Sequence, residues 1–300
     1  MLRSVAFPVL FALPLFGLSQ QVADTTFKPP VLNPAYSVGR GPTIFIDEAH
    51  NNFHTRNGRF TAFTKLVERD GYNVKSSAAP FTPEVLSGCK VMVIANALDA
   101  SNTAEWVLPN PSAFTDAEIA NMNEWVKNGG ALFLIADHMP FPGAAEKLAA
   151  SFGFKFYNGF ATKNGGTDIF KPGHGLMQNI ITTGRNQQES IRTLQTFTGQ
   201  AFEIPSDAKP IVVLNSKYKI LMPDTAWKFK ENTPSRSADG LAQGAFKVYG
   251  RGRVVVFGEA AMFTAQISAK GSKMGMNVDS ASQNPQFLLN VVHWLDQLID

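Results

Sequence analysis

The sequence contains a single cysteine, Cys89, in 300 residues, so an internal disulfide is excluded and stability must come from core burial. An excess of one charge is also lacking, since 27 lysines and arginines face 24 aspartates and glutamates without long basic runs. This balance argues against binding to nucleic acid or to an anionic membrane surface. Hydrophobic residues make up 44% of the chain, which is enough for a large core and excludes a disordered polymer.

A long hydrophobic run is missing as well, because the apolar stretch at residues 5–18 is shorter than the roughly 20 residues that span a bilayer. Arg3 precedes this stretch, and the small residue Ser19 follows it. The pattern is typical of a signal peptide, residues 1–19, that is cleaved before Gln20; an uncleaved anchor is the alternative. We therefore expect an extracytoplasmic protein, periplasmic or secreted, with no stable membrane span after cleavage.

Residues 20–42 follow the predicted signal and contain the segment FKPPVLNPAYSVGRGP. Its prolines and glycines disfavour a helix, so the sequence predicts an extended arm that lies along the surface of the domain.

From Thr43 onward, short apolar runs alternate with amphipathic helical patterns. This order is typical of βαβ units, and continuous apolar runs are typical of strands buried on both faces. The sequence predicts an α/β domain over residues 43–300, with a flavodoxin-like, doubly wound, mostly parallel sheet and helices on both faces. Thr115 and Glu118 form a capping box at the start of one helix. The predicted strands of the first half are TIFID, YNVKS, VMVIANA and ALFLIADH.

The second half of the domain is less regular. Residues 157–241 are rich in Gly, Thr, Asn and Gln, and we expect them to form an irregular insertion. The segment AFKVYGRGRVVVFGEA predicts a C-terminal β-hairpin. A final helix is expected from about Pro285 to Leu298, with Asn284 as its N-cap.

Polar residues collect directly after the predicted strands. Because parallel strands end at one edge of a sheet and ligands bind outside that edge, these positions are candidate contacts for a small-molecule or glycan ligand. The candidates are Asp47, Glu48, His50, Asn51, Asn52 and His54 after the first strand, Asn96 after the third, Asp137 and His138 after the fourth, and Glu259 after the late strand VVVFG.

His50 and His54 are four residues apart, a spacing that on a helix would place both imidazoles on one face. Asn51 stands where an HExxH motif carries its general-base Glu, so zincin chemistry is not supported. The cofactor is unknown, and a divalent metal is one hypothesis, with His50, His54 and His138 as candidate ligands. The alternative is that these side chains hydrogen-bond the backbone of a tight strand-to-helix turn.

His138 ends a buried strand and precedes a proline-rich turn, which makes it the first candidate for a general acid or base. Glu259 or Glu48 is the candidate carboxylate partner, and Asp137 is a second candidate to orient the imidazole. The structural alternative is an Asp that caps the turn beside a His packed under the prolines.

Several aromatic residues fall in loops or in the insertion rather than in core patterns: Trp106, Phe114, Phe141, Phe160 and Trp227. Such rings can stack on sugars, although they more often form lids that pack on their own domain. They keep a carbohydrate-like ligand among the hypotheses.

The segments DEAHNNFHT, IADHMPFPG, GRGRVVVFGEAAMF and NPQFLLNVVHWL resemble a bacterial branch of the class I glutamine amidotransferase-like superfamily. This branch is similar to GIFT domains and to trehalose-utilisation-type proteins, and the resemblance runs from Thr43 to the C-terminus. It implies a flavodoxin-like parallel sheet.

Working amidotransferases of this superfamily carry a cysteine nucleophile in the elbow after the strand that matches ALFLIADH. Here Ala136, Asp137 and His138 occupy that turn, and Cys89 lies at the start of another strand. A thioester needs a sulfur at the elbow. The resemblance therefore implies a protein without glutaminase activity, in which Glu259 is the most that is kept of the later His-x-Glu dyad.

The leading hypothesis from the sequence is an exported, hydrolase-like α/β protein that acts on a small or carbohydrate-like ligand at the carboxyl edge of its sheet. The alternative is a non-catalytic module that binds a glycan or a protein in the same crevice. A third hypothesis, an interaction scaffold like the GIFT domains, needs no pocket chemistry at all.

The processing signal gives the first testable prediction. The mature protein should begin near Gln20 and be found outside the cytoplasm, because a basic start, a short apolar stretch and a small residue precede that position. N-terminal sequencing of the exported protein measures this directly. An intact Met1 on membrane-bound protein would contradict it.

Overall fold

The computed structural model describes residues 21–165 and 167–300, and the predicted signal peptide of residues 1–19 lies outside them. The first part of the chain contains β1 (Val22–Ala23), β2 (Thr43–Asp47), α1 (Thr61–Arg69), β3 (Asn73–Ser77), α2 (Pro83–Ser87), β4 (Val91–Ala95), α3 (Asp116–Lys127), β5 (Ala131–Ile135), α4 (Phe141–Ser151), β6 (Lys155–Phe156) and β7 (Phe160–Lys163). The remainder contains β8 (Asp168–Pro172), β9 (Gly175–Leu176), α5 (Ile180–Thr183), β10 (Leu194–Thr196), β11 (Phe202–Glu203), β12 (Lys209–Val213), β13 (Tyr218–Leu221), β14 (Ser235–Ser237), β15 (Ala242–Tyr249), β16 (Gly252–Phe257), β17 (Ala265–Ile267), β18 (Lys273–Gly275) and α6 (Asn284–Leu295).

The centre of the main sheet consists of five parallel strands in the order β3-β2-β4-β5-β16. Counted along the chain, these strands follow the flavodoxin-like order 2-1-3-4-5. The predicted fold class, a doubly wound α/β sheet, is therefore confirmed. All five strands end at the same edge, which brings residues from distant parts of the sequence together there.

The hydrophobic core lies on both faces of this sheet. In β4, Val91 and Val93 pack on the side of α1 and α6, whereas Met92 and Ile94 pack on the side of α2, α3 and α4. Every residue of β4 is buried. Burial on both faces explains why the strand has an unbroken apolar sequence rather than an alternating one.

The predicted hairpin is present as β15 and β16, which pair antiparallel from Gly244–Phe257 to Tyr249–Gly252. Beyond β15, the sheet continues through β12, β9, β8 and β10. Residues 157–241, expected to be irregular, thus supply short strands to the main sheet and also form the smaller sheet β14-β13-β7. Strands this short carry too little alternation for their pairing to be visible in the sequence.

Helix ends agree in part with the sequence signals. Thr115 and Glu118 form the predicted capping box of α3. The last helix ends at Leu295, earlier than predicted, and Asn284 lies inside it rather than at its N-cap. The Asn284 side chain instead accepts a hydrogen bond from the backbone of Gln195 at 3.1 Å and donates one back at 2.8 Å. This residue joins α6 to β10.

The segment that precedes the sheet lies on the domain. Its first residues form β1, which pairs antiparallel with β17. Farther along, the hydroxyl of Tyr36 donates to Asp296 at 2.6 Å, and the backbone N–H of Ala35 donates to Asp70 at 2.8 Å. None of the helices in the described residues is long and apolar enough to cross a bilayer.

The capping box gives the second testable prediction. In Thr115→Ala the backbone N–H of Glu118 loses its acceptor, which lies 3.2 Å away. The free energy of unfolding should fall by about 1 kcal/mol, as is typical for loss of such a cap. Thr115→Ser keeps the hydroxyl and should lie near the wild type in urea unfolding. Equal losses in both variants would show that the methyl group, not the cap, matters.

Candidate functional site

A pocket of about 540 Å³ opens at the carboxyl edge of the parallel strands. It is lined by Gln21, Phe53, His54, Arg59, Asn96, Trp106, Asp137, His138, Phe141, Thr198, Trp227, Ala261, Gln266 and Met274. Four residues that the sequence placed at this edge, His54, Asn96, Asp137 and His138, thus share one concave surface. A second cavity of about 540 Å³, lined by insertion residues such as Pro172 and Asp239, contains none of the candidates.

Asn96 follows β4 in a left-handed backbone conformation, with φ of 53°, which asparagine tolerates better than most residues. Its side-chain oxygen accepts the backbone N–H of Asp137 at 2.8 Å. Its amide nitrogen donates to Nδ1 of His54 at 3.1 Å. Asn96 therefore connects the loop after β2 with the turn after β5.

His54 is 3% exposed. Since the Asn96 amide donates to Nδ1, the neutral ring carries its proton on Nε2, which makes no hydrogen bond to the described residues. Burial, followed by the charges of Arg59 and His138, lowers the pKa of His54 to about 3. His54 is therefore a neutral N–H donor at neutral pH rather than a cation.

His138 follows β5 and is held by the backbone. Its Nδ1 lies 2.8 Å from the carbonyl oxygen of Met139, and because a carbonyl can only accept, this nitrogen must be the donor. In the neutral ring the lone pair is then on Nε2. Nε2 makes no hydrogen bond to the described residues, and it is not completely enclosed by protein atoms. Because His138 lines the pocket, this nitrogen is open to the pocket.

Aromatic rings surround the His138 imidazole. Phe160 stacks on it with 4.5 Å between ring centroids and an interplanar angle of 11°. Trp227 meets it edge to face at 4.6 Å, and Trp106 and Phe141 lie farther away, both at 5.9 Å. His138 thus presents one polar atom within an apolar wall.

Asp137 accepts hydrogen bonds from the backbone rather than from an imidazole. Its two oxygens accept the N–H of His138 at 2.7 Å and the N–H of Ala260 at 3.1 Å. The hydroxyl of Thr198 lies 3.4 Å from one of them. The carboxylate therefore stabilises the turns after β5 and β16, and the Met139 carbonyl, not Asp137, orients the His138 ring.

Glu259 follows β16 but is fully enclosed and does not line the pocket. Its carboxylate accepts the N–H groups of Ala261 at 2.8 Å and Met262 at 2.7 Å. Burial, and next the charge of Asp137, raise the pKa of Glu259 well above its ordinary value. Glu259 shapes the turn beneath the pocket and makes no contact with His138 that would make it a partner in proton transfer.

His50, despite its spacing from His54, lies outside the pocket lining. Its Nδ1 is 2.9 Å from Asp47, and its Nε2 is 2.9 Å from Glu118 at the start of α3. The ring also packs against Phe81 and Phe114. Because both nitrogens already contact carboxylates, the imidazole has no lone pair for a metal or a ligand in this arrangement.

The other candidates after β2 stabilise the loop itself. Glu48 accepts from the backbone of Arg56 and from the Ser76 hydroxyl, each at 2.8 Å. Asn52 donates to Asp47 at 3.0 Å and accepts the backbone N–H of His50 at 3.1 Å. Asn51 has φ of 47° and donates to the carbonyl of Leu98. Asp47 is fully buried beneath them.

The candidate metal ligands do not converge. His50 lies outside the pocket, whereas His54 and His138 line it. Across the described parts of the chain, no group of three or more His, Cys, Asp or Glu side chains has the arrangement of a metal site. The residues present therefore do not fit the hypothesis of a divalent metal held by three histidines.

Sequence reasoning missed part of the pocket, notably Arg59, Thr198 and Gln266. Arg59 immediately precedes Phe60, the N-cap of α1, a position where the helix dipole disfavours a cation. A cation at such an unfavourable position is a sequence signal that could have marked Arg59 as a candidate site residue. Thr198 lies in the loop between β10 and β11, and Gln266 lies in β17. Both reach the site through strand pairing, and no pattern in the sequence marks them.

Comparison with solved structures places the fold among known ones. The N-terminal domain of mmIFT52 superposes with a TM-score of 0.59 at 16% identity, over 84% of this chain and 97% of that one. At this identity the likeness establishes the fold alone.

Other solved structures superpose less well. A protein described as ThuA-like from Bacteroides uniformis has a TM-score of 0.48 at 12% identity, over 87% of this chain and 94% of its own. A GMP synthase-like protein from Thermoplasma acidophilum has a TM-score of 0.46 at 9% identity, over 85% of this chain and 94% of its own. No family profile and no curated protein matches the sequence.

The bridge formed by Asp47, His50 and Glu118 gives the third testable prediction. Burial opposes the charged imidazole, but hydrogen bonds and charges from Asp47 and Glu118 outweigh it and raise the pKa of His50 above 6.5. Burial also opposes ionised Glu118, yet hydrogen bonds from Thr115, His50 and Phe81 lower its pKa to about 2.

Protonated His50 stabilises the folded state, because its pKa is higher there than in the unfolded chain. This contribution to the free energy of unfolding is complete below pH 6.5 and is lost as the pH rises through the folded-state pKa of His50. Ionised Glu118 stabilises the folded state above pH 4.5, and this contribution is lost as the pH falls towards 2, the folded-state pKa of Glu118. His50→Gln should therefore destabilise most between these limits, by about 3 kcal/mol, and less at pH 9. Urea unfolding at pH 5.5 and pH 9 measures the difference, with exposed His174→Gln as the control. Equal losses at both pH values would contradict a protonated bridge.

Proposed function

We propose that the protein is exported and binds a small carbohydrate-like molecule in this pocket, where His138 acts as a general acid and base. The observation that carries the proposal is the open Nε2 of His138, set in an aromatic wall while Nδ1 is held by the Met139 carbonyl. A fixed tautomer with an accessible lone pair is the requirement for a histidine base.

The aromatic residues of the pocket support a ring-shaped ligand. Trp106 and Trp227 line it, and Phe53 meets Trp106 edge to face at 5.2 Å. Large aromatic faces bind the C–H surface of a sugar ring, while nearby polar groups meet its hydroxyls. Thr198 and the neutral His54 would supply those polar contacts.

A hydrolytic step needs only these groups and one water. His138 takes a proton from the water on Nε2, the water oxygen forms the new bond to the electrophilic carbon, and the leaving group departs with its bonding electrons. The imidazolium then returns the proton to the leaving group, so the enzyme is restored. Such proton transfer contributes about 10²–10⁴-fold to a rate.

Two other chemistries have less support. Asp137 is the only carboxylate among the described residues that line the pocket, so hydrolysis by a pair of carboxylates lacks its second member. Glutamine amidotransfer lacks its thiol, because Cys89 lies before β4 and burial raises its pKa to about 12. We infer that the chain belongs to a branch of the amidotransferase-like superfamily that lacks the catalytic thiol.

A non-catalytic glycan-binding module is the second candidate. Both oxygens of Asp137 accept hydrogen bonds from backbone N–H groups, so His138 has no carboxylate partner. The lack of such a partner favours binding without catalysis. Both candidates use the same pocket, so turnover distinguishes them.

The fourth testable prediction concerns His138. In His138→Asn, the shorter amide can still donate to the Met139 carbonyl, but the atom corresponding to Nε2 is lost. We expect hydrolysis of 4-nitrophenyl glycosides to fall by about 10²-fold or more, while binding of glucose, galactose or mannose changes less than tenfold. Tryptophan fluorescence and calorimetry measure binding, because Trp106 and Trp227 line the site.

Cys89→Ser is the matched control, since this thiol lies away from the pocket, and it should leave binding and turnover unchanged. Neither protein should release ammonia from glutamine. Sugar binding without turnover in the wild type would favour the binding module. Turnover retained in His138→Asn would refute the role of His138.

A further inference from the structure

Arg59 is the strongest feature of the pocket that the proposed chemistry does not use. It lies in the loop between β2 and α1, and its guanidinium carbon is 3.9 Å from the centre of the Phe53 ring. The side chain lines the pocket beside His54 and His138. Stacking on an aromatic face holds the planar guanidinium in one orientation without using its N–H groups.

The N–H groups of Arg59 have no acceptor among the described residues. Within residues 21–165 and 167–300, it is the only arginine that is not exposed and that makes neither a hydrogen bond nor an ion pair. The other arginines that are not exposed all bond to a carboxylate or a carbonyl oxygen: Arg56, Arg69, Arg185 and Arg253. A half-buried guanidinium with five unused donors is costly unless a ligand or water meets it.

The neighbouring groups leave the positive charge of Arg59 uncompensated. Asp137, the carboxylate that lines the pocket with Arg59, is engaged by the N–H groups of His138 and Ala260 and forms no ion pair with Arg59. His54 is neutral, and the Arg59 charge is one cause of its low pKa. An anionic ligand would therefore meet a cation, an N–H donor and few competing charges.

We propose that the pocket selects sugars that carry an oxyanion, and that Arg59 binds that group through its paired N–H donors while the sugar ring lies against Trp106 and Trp227. The ring part of this inference rests on the proposed function. Carboxylates and phosphate or sulfate esters share the required pair of acceptor oxygens. A volume of about 540 Å³ suits a mono- or disaccharide rather than a long chain.

The binding test compares D-glucuronate, glucose 6-phosphate and D-glucose at one ionic strength, because salt screens such contacts. Wild-type protein should bind at least one of the two anionic sugars about tenfold or more tightly than glucose. Which of them binds distinguishes a carboxylate from a phosphate site. Arg59→Gln should remove the preference, so that the anionic sugars bind no more tightly than glucose, and Arg59→Lys should keep part of the preference, since the charge remains without the paired donors.

Arg236→Gln is the matched control. The Arg236 guanidinium also stacks on a ring, that of Tyr157 at 4.1 Å, but it is exposed and lies outside the pocket. This variant should keep the full preference for the anionic sugar. Circular dichroism and thermal unfolding of each variant establish that it is folded before binding is compared.

A separate arm uses acetate and inorganic phosphate alone, measured as stabilisation against thermal unfolding relative to chloride. If glucose binds but neither the preference nor the anion effect depends on Arg59, the inference is overturned and the proposed function stands. If no sugar binds but acetate or phosphate stabilises the wild type and not Arg59→Gln, the anion site stands and the carbohydrate function fails. If neither sugars nor anions have an effect, both are overturned.

Discussion

The geometry of the site depends on the hydrogen bonds of Asn96. A buried amide is costly unless all its polar atoms find partners, and here they join the ends of separate strands. The backbone N–H of Asn96 reaches the carbonyl of Ile135 at 2.9 Å, and its carbonyl accepts from Phe53 at 2.9 Å. Its amide holds His54 and the turn at Asp137. Asn96 thus fixes His54 relative to the turn that carries His138.

Ionisable residues at the sheet edge fall into two groups that differ in whether their polar atoms are already engaged. Asp47, His50 and Glu259 are enclosed, and their polar atoms contact one another, Glu118 or the backbone. These residues stabilise turns, since an unpaired charge at such positions would be expensive. His138 and Arg59 have open polar atoms, and it is this openness, rather than burial or proximity to a strand end, that marks a site residue.

The insertion also contributes residues to the pocket lining, Thr198 and Trp227. The N–H of Ala226 donates to the carbonyl of Trp106 at 2.8 Å, and Val107 bridges Thr225. This contact fastens Trp227, which has φ of 65° and is half exposed, next to the loop that carries Trp106. The pocket is therefore shared between the parallel sheet, which supplies the histidines, and the insertion, which supplies an aromatic wall.

The sequence by itself determined the alternation of strands and helices in the first half of the domain, the C-terminal hairpin, the capping box of α3 and the edge at which polar residues meet. These features depend on local periodicity, on cap chemistry and on the single hand of βαβ connections. It also named His54, Asn96, Asp137 and His138. Only the tertiary structure decided that His50 turns towards Glu118, 68 positions away, and that Arg59 has no anionic partner. The direction of a side chain and the pairing of distant residues depend on contacts between segments that are far apart in the sequence. Such contacts produce no periodic pattern of hydrophobic residues that could be read from the sequence.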